Sequence, residues 1–127
     1  MRQLLFIGLG GFCGAILRYL IGGWVQSLSK SIGFPYGTLA VNVLGSLVFG
    51  LLAQLVVSRG LFGPDVRALV FIGILGAFTT FSTFSNETMN LFYDGNNLMA
   101  LANIGLQVSL CLGAALLGHV VAYQIWR

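Results

Sequence analysis

Charge is what this chain of 127 residues has least of: Asp, Glu, Lys and Arg together make up 7% of it. A soluble domain carries about 25% charged residues. Hydrophobic residues make up 57%, and the mean hydropathy is +0.95. Such a chain cannot cover itself with a charged surface, so lipid must serve as its solvent. The three acids (Asp65, Glu87 and Asp94) and the single histidine, His119, are spread along the chain without a nucleophile–base arrangement, which excludes an enzyme. The net charge of +3 comes from six scattered Lys and Arg, not from a basic patch, which excludes a nucleic-acid binder. The two cysteines, Cys13 and Cys111, make neither a metal pattern nor a disulfide framework and are expected to be buried free thiols. No stretch alternates apolar with polar residues, so a β-barrel is excluded as well.

What is present is long apolar runs. A membrane span needs about 20 mostly apolar residues, and four stretches qualify: residues 4–24, 38–57, 68–92 and 98–126. Arg2 followed by Leu4–Phe12 imitates a secretory signal, but the apolar stretch continues to Trp24 and three more follow, so it is expected to be an uncleaved first span. The expectation is a single all-α transmembrane domain, residues 1–127. The connections hold most of the charges and both prolines, Pro35 and Pro64. Pro35-Tyr36-Gly37-Thr38 reads as a turn before a helix, with Thr38 as N-cap. Four spans put both termini on one side with Arg2, Arg59, Arg67 and Arg127, against Lys30 and a snorkelling Arg18 on the other. The positive-inside rule then leans toward cytoplasmic termini, although so few charges could allow insertion both ways. Gly10-x-x-x-Gly14 lets helices approach closely, and four thin helices leave little room for a pore through one copy. A homodimer with paths along its interface is the economical solution.

At membrane depth a polar side chain needs a partner or a function. In the third span, Gly73 and Gly76 precede Thr79, Thr80, Ser82, Thr83 and Ser85. Glycine weakens the helix and hydroxyls compete for backbone partners, so the pattern predicts a break in mid-membrane. A break frees carbonyl oxygens, which suit a small hard cation. The alternative is a continuous helix whose hydroxyls bond back to their own turn. Phe81 and Phe84 share a helix face, either as core or with their weakly positive ring edges toward a small anion. Asn42, with Ser46 one turn on, offers two amide donors, to another helix or to an ion. Asn103, Gln107 and Cys111 form a narrow polar stripe that either packs against a polar helix face or lines a path. Ser109 points away from it and is expected to bond back to its own helix. Arg18 either snorkels or draws anions at a vestibule mouth, and Glu87 either caps a vestibule or is solvated. His119 is expected near the interface.

Three segments resemble the signature of the Fluc (CrcB-type) family of bacterial fluoride channels. Residues 11–19 (GFCGAILRY) are similar to its first-span motif, 37–45 (GTLAVNVLG) to its second-span motif around an asparagine, and 76–87 (GAFTTFSTFSNE) to its broken third span. Length and span count also fit, while the fourth span is the least specific. The resemblance implies an antiparallel, dual-topology homodimer in the bacterial cytoplasmic membrane, with two pores that passively export fluoride and so protect against its toxicity. It implies that Asn42, Phe81 and Phe84 line each pore, joined by Thr80, Ser82, Thr83, Asn103, Gln107 and Cys111, with Arg18, Thr38 and Glu87 at the vestibule. It also implies a structural Na⁺ on the two-fold axis, held by the Gly76 and Thr79 carbonyls of both copies. The competing expectation is a proton-coupled exporter of the small multidrug type, which needs a membrane-embedded carboxylate that the first two spans lack.

Overall fold

The structure, a computed structural model, describes residues 1–60 and 62–126, with the Arg59 side chain left aside. Arg127 and that side chain, both counted in the charge balance above, lie outside the described residues. The described residues form α1 (Arg2–Ser29), α2 (Tyr36–Arg59), α3 (Pro64–Arg67), a π-helical run (Ala68–Leu75), α4 (Gly76–Phe78), α5 (Phe81–Tyr93) and α6 (Asn97–Ile125). Four segments are long and apolar enough to cross a membrane: Arg2–Ser29, Tyr36–Ser58, Pro64–Tyr93 and Asn97–Ile125. They extend past the apolar stretches because helix geometry does not need apolar residues, only a chain without breakers. α2 ends where Gly60 turns left-handed (φ 60°) and returns its N–H to Val56 O. α3 opens with Pro64 in its first turn, where a missing N–H costs nothing.

Two sequence expectations need correction. Thr38 is not an N-cap: Pro35 takes that position, α2 starts at Tyr36, and the Thr38 hydroxyl donates to Glu87 Oε1 at 2.7 Å. Cys13 is exposed, because α1 turns that face outward, while Cys111 is half-buried; both are free thiols.

α2 packs along α6, and α1 along the π-helical run. Both seams depend on missing side chains. A Cβ on Gly10 would strike Leu69 O and the Gly73 backbone, and one on Gly14 would strike Ile74 O, whereas Gly8 and Gly11 face open space. The interior is thin. Val41 and Asn103 are the largest fully buried side chains among the described residues, and Leu4, Leu9, Phe12, Leu20 and Leu112 stand outward. An apolar exterior around a core of small and polar residues is the inverse of a soluble bundle and suits lipid.

Candidate functional site

The site grows from two residues that leave helical geometry. Thr79 (φ −81°, ψ 153°) and Thr80 (φ −150°, ψ 115°) are extended and separate α4 from α5. Gly73 and Gly76 are themselves helical, so the departure falls three residues beyond the second glycine. Thr80 caps α5: its hydroxyl oxygen accepts from Thr83 N–H at 3.2 Å. Asn42 of α2 then takes both sides of the exposed peptide groups. Its Oδ1 accepts from Thr80 N–H at 2.7 Å, and its Nδ2 donates to Thr80 O at 3.1 Å. The second Nδ2 hydrogen goes to Gln107 Oε1 at 3.1 Å. One side chain thus supplies the partners that a continuous helix would have provided, which is what a buried backbone requires.

The same bonds bear on a cation. In a continuous helix, Thr80 N–H would point at Gly76 O and Thr83 N–H at Thr79 O. Here both hydrogens are taken, by Asn42 Oδ1 and Thr80 Oγ1. Those two carbonyls are therefore deprived of their usual helical donors. Other hydroxyls of the segment do bond back to their own helix: Thr79 to Leu75 O at 3.0 Å, Ser85 to Phe81 O at 2.9 Å and Thr88 to Phe84 O at 2.8 Å.

Two cavities meet at Thr80. The first, about 470 Å³, is lined by Asn42, Ser46, Phe81, Phe84, Gln107 and Cys111, among others, with no acidic side chain in its wall. Phe81 and Phe84 pack edge to face, centroids 5.3 Å apart. Phe84 is 8% exposed and Phe81 78%, so the pair spans from the interior to the surface of the chain. Gly45 gives Thr79 its place, because a Cβ there would strike Thr79 Cγ2. The second cavity, about 830 Å³, gathers Arg18, Thr38 and Glu87, three residues the sequence singled out separately, together with Thr83 and Asn90.

The stripe on α6 divides. Gln107 and Cys111 line the first cavity, with the Cys111 thiol 3.9 Å from Gln107 Oε1. Asn103 is fully buried, donates to Thr88 Oγ1 at 2.9 Å and lines neither cavity. Ser109 donates back to Gly105 O at 2.6 Å. Ser82 lines neither cavity, and its hydroxyl lies 3.4 Å from that of Thr80. His119 is exposed. Three buried polar atoms have no partner among the described residues: Glu87 Oε2, Asn103 Oδ1 and Gln107 Nε2.

Two contributors escape sequence reasoning. Gln26 of α1 donates to Ser31 O (2.8 Å) and Phe34 O (3.1 Å) and accepts from Gly37 N–H (2.9 Å), tying down the connection that walls the second cavity. Its signal was a lone amide just past an apolar stretch. Thr88 holds Asn103, and its signal was a hydroxyl one turn after Phe84 on the same face.

Residues 5–119 match the family described as CrcB-like protein, Camphor Resistance (CrcB). Curated relatives match along nearly their whole lengths. A protein of Sulfurovum sp. (strain NBC37-1), named Fluoride-specific ion channel FluC, is 50% identical over 97% of this chain and 95% of its own. One of Elusimicrobium minutum (strain Pei191) with the same name is 44% identical over 96% and 94%. One of Methanosarcina acetivorans, Fluoride-specific ion channel FluC 1, is 43% identical over 98% and 94%. With four helices long and apolar enough to span a bilayer and this match along its length, the chain is a multi-pass membrane protein that belongs to the CrcB family.

Proposed function

We propose that this chain is a fluoride-selective channel that passively carries F⁻ out across the bacterial cytoplasmic membrane and so protects the cell from fluoride. The observation that carries the proposal is the match along 96–98% of the chain to proteins named fluoride-specific ion channels. The geometry supplies a physical account. Fluoride is small and strongly hydrated, so a selective path must replace its water with donors in a space too narrow for larger halides. Arg18 draws anions into the larger cavity, where Thr38 and Glu87 form the vestibule. Beyond Thr80, the path runs past Asn42, Phe81 and Phe84, with Thr83, Ser82, Gln107, Cys111 and Asn103 as polar neighbours. The ring edges of the phenylalanines present weak positive charge without offering water a partner.

One copy leaves this path open on the side where Phe81 stands exposed. A second copy in antiparallel orientation closes it and creates two equivalent pores, with the third span broken at mid-membrane. The Gly76 and Thr79 carbonyls fit a small hard cation, since the N–H groups that would cover them are engaged elsewhere. Paired with the same atoms of the second copy, they would hold a Na⁺ that ties the dimer together. The rival, a proton-coupled multidrug-type exporter, needs a carboxylate in its transport path, and none lines the cleft beside the phenylalanines. The test is anion efflux from liposomes containing the purified protein: fluoride leaves quickly while chloride stays. Equal efflux of both ions overturns the proposal.

A further inference from the structure

Hydrogen-bond polarity in the cleft can be followed atom by atom from a group whose character is beyond doubt. The Thr80 backbone N–H can only donate, so the Asn42 atom facing it at 2.7 Å is the carbonyl oxygen. Asn42 Nδ2 must then face the other way, and its two hydrogens go to Thr80 O and to the Gln107 amide. The Gln107 atom that receives one of them must be Oε1. This leaves Gln107 Nε2 with its hydrogens unspent: it has no partner among the described residues, although Gln107 is only 5% exposed. Gln107 lines the same cleft as Phe81 and Phe84. A buried donor without a partner is costly unless something that accepts hydrogen bonds comes to it.

Resting on the fluoride-channel reading, we propose that Gln107 Nε2 is the amide donor that contacts the anion in this chain, and that Asn42 is a positioning residue. Every polar hydrogen of the Asn42 side chain is already committed, so releasing one to an ion would strip Thr80 O or Gln107 Oε1 of its partner. Asn42 acts through two neighbours instead. It holds the extended Thr80 peptide, and it fixes the Gln107 amide with nitrogen outward. Asn103 has the opposite polarity. Its nitrogen is spent on Thr88 and its oxygen is the unpartnered atom, so it offers an anion nothing.

The proposal separates four proteins in one efflux assay. Gln107→Met keeps the length of the side chain and loses the donor. Gln107→Glu keeps the oxygen that Asn42 needs and replaces the donor with negative charge. Asn42→Asp keeps the acceptor for Thr80 N–H but presents oxygen to Gln107, whose amide turns over and spends Nε2 on it. Each should lower fluoride efflux by at least about tenfold, the loss of one hydrogen bond to a charged partner. The double variant Asn42→Asp/Gln107→Met should fall no further than the slower of its two parents, because both remove the same contact. A structural defect alone would not give that result, since independent defects multiply. Sizing-column profiles accompany each measurement, and Ser109→Ala, on the other face of α6, should conduct as the parent does. Effects that multiply would overturn the proposal, because Asn42 would then touch the ion separately. Wild-type fluoride efflux through Gln107→Glu would overturn it too, and if Gln107→Met does not fold, Gln107→Glu decides alone. Absence of fluoride efflux from the parent protein would instead defeat the channel reading on which the proposal rests.

Discussion

Alanine substitution at four glycines of α1 should separate into two opposite effects on one helix. Gly10 and Gly14 lie against backbone: the added Cβ would meet Leu69 O in the first case and Ile74 O in the second. A carbonyl held in the π-helical run cannot rotate aside as a flexible side chain can, so α1 must lift away. Overpacking of this kind costs about 1–3 kcal/mol. The better helix propensity of alanine offsets about 0.8–1 kcal/mol of it. Gly10→Ala and Gly14→Ala should therefore each destabilise, by up to about 2 kcal/mol. Nothing lies within 4 Å of a Cβ at Gly8 or Gly11, so there the propensity gain stands alone. Gly8→Ala and Gly11→Ala should be neutral or stabilise by up to about 1 kcal/mol. Thermal unfolding in detergent, followed by the fraction surviving on a sizing column, ranks all four against the parent. If Gly14→Ala is as stable as Gly11→Ala, the close seam between α1 and the π-helical run does not exist as described.

Two further outcomes are expected from the proposed channel. Phe78 and Phe84 are buried, so changing either to Ile should cost about 1–3 kcal/mol of stability, whereas Phe81, at 78% exposure, should tolerate Ile with little loss in the single chain. Phe81→Ile is thus the cleaner probe: fluoride efflux should collapse while thermal stability holds, and efflux that merely tracks stability across the three variants would make the rings ordinary core. Long exchange of Na⁺ for a bulky organic cation should weaken both the dimer on a sizing column and its fluoride efflux, and full activity with an unchanged dimer would count against the Gly76 and Thr79 cation site.

The number of membrane-length helices was legible because it depends on one-dimensional information, apolar runs set against a known bilayer thickness. Helix ends were less so. Pro35 already sets the entry to α2, and a threonine three residues later looks like a cap in sequence whether or not it serves as one. The polar residues of the site could be picked out singly, since each is costly in lipid. Their relations could not, because Asn42 and Gln107 are 65 positions apart and only packing brings them to 3.1 Å. The pairing also changes what each does: an amide that looked free to donate is spent on backbone, and the free donor lies on another helix. Gln26 was missed for a similar reason, as its three backbone partners sit in a connection whose shape the sequence does not specify.

The central claim is passive, fluoride-selective conduction, and a current measured across a planar bilayer tests it most directly. With fluoride on one side, chloride on the other and no proton gradient, the purified protein should carry current that reverses close to the limit set by fluoride alone. A reversal near zero would mean that the two halides pass equally. No current without a proton gradient, with transport appearing once one is applied, would mean a coupled exporter and not a channel.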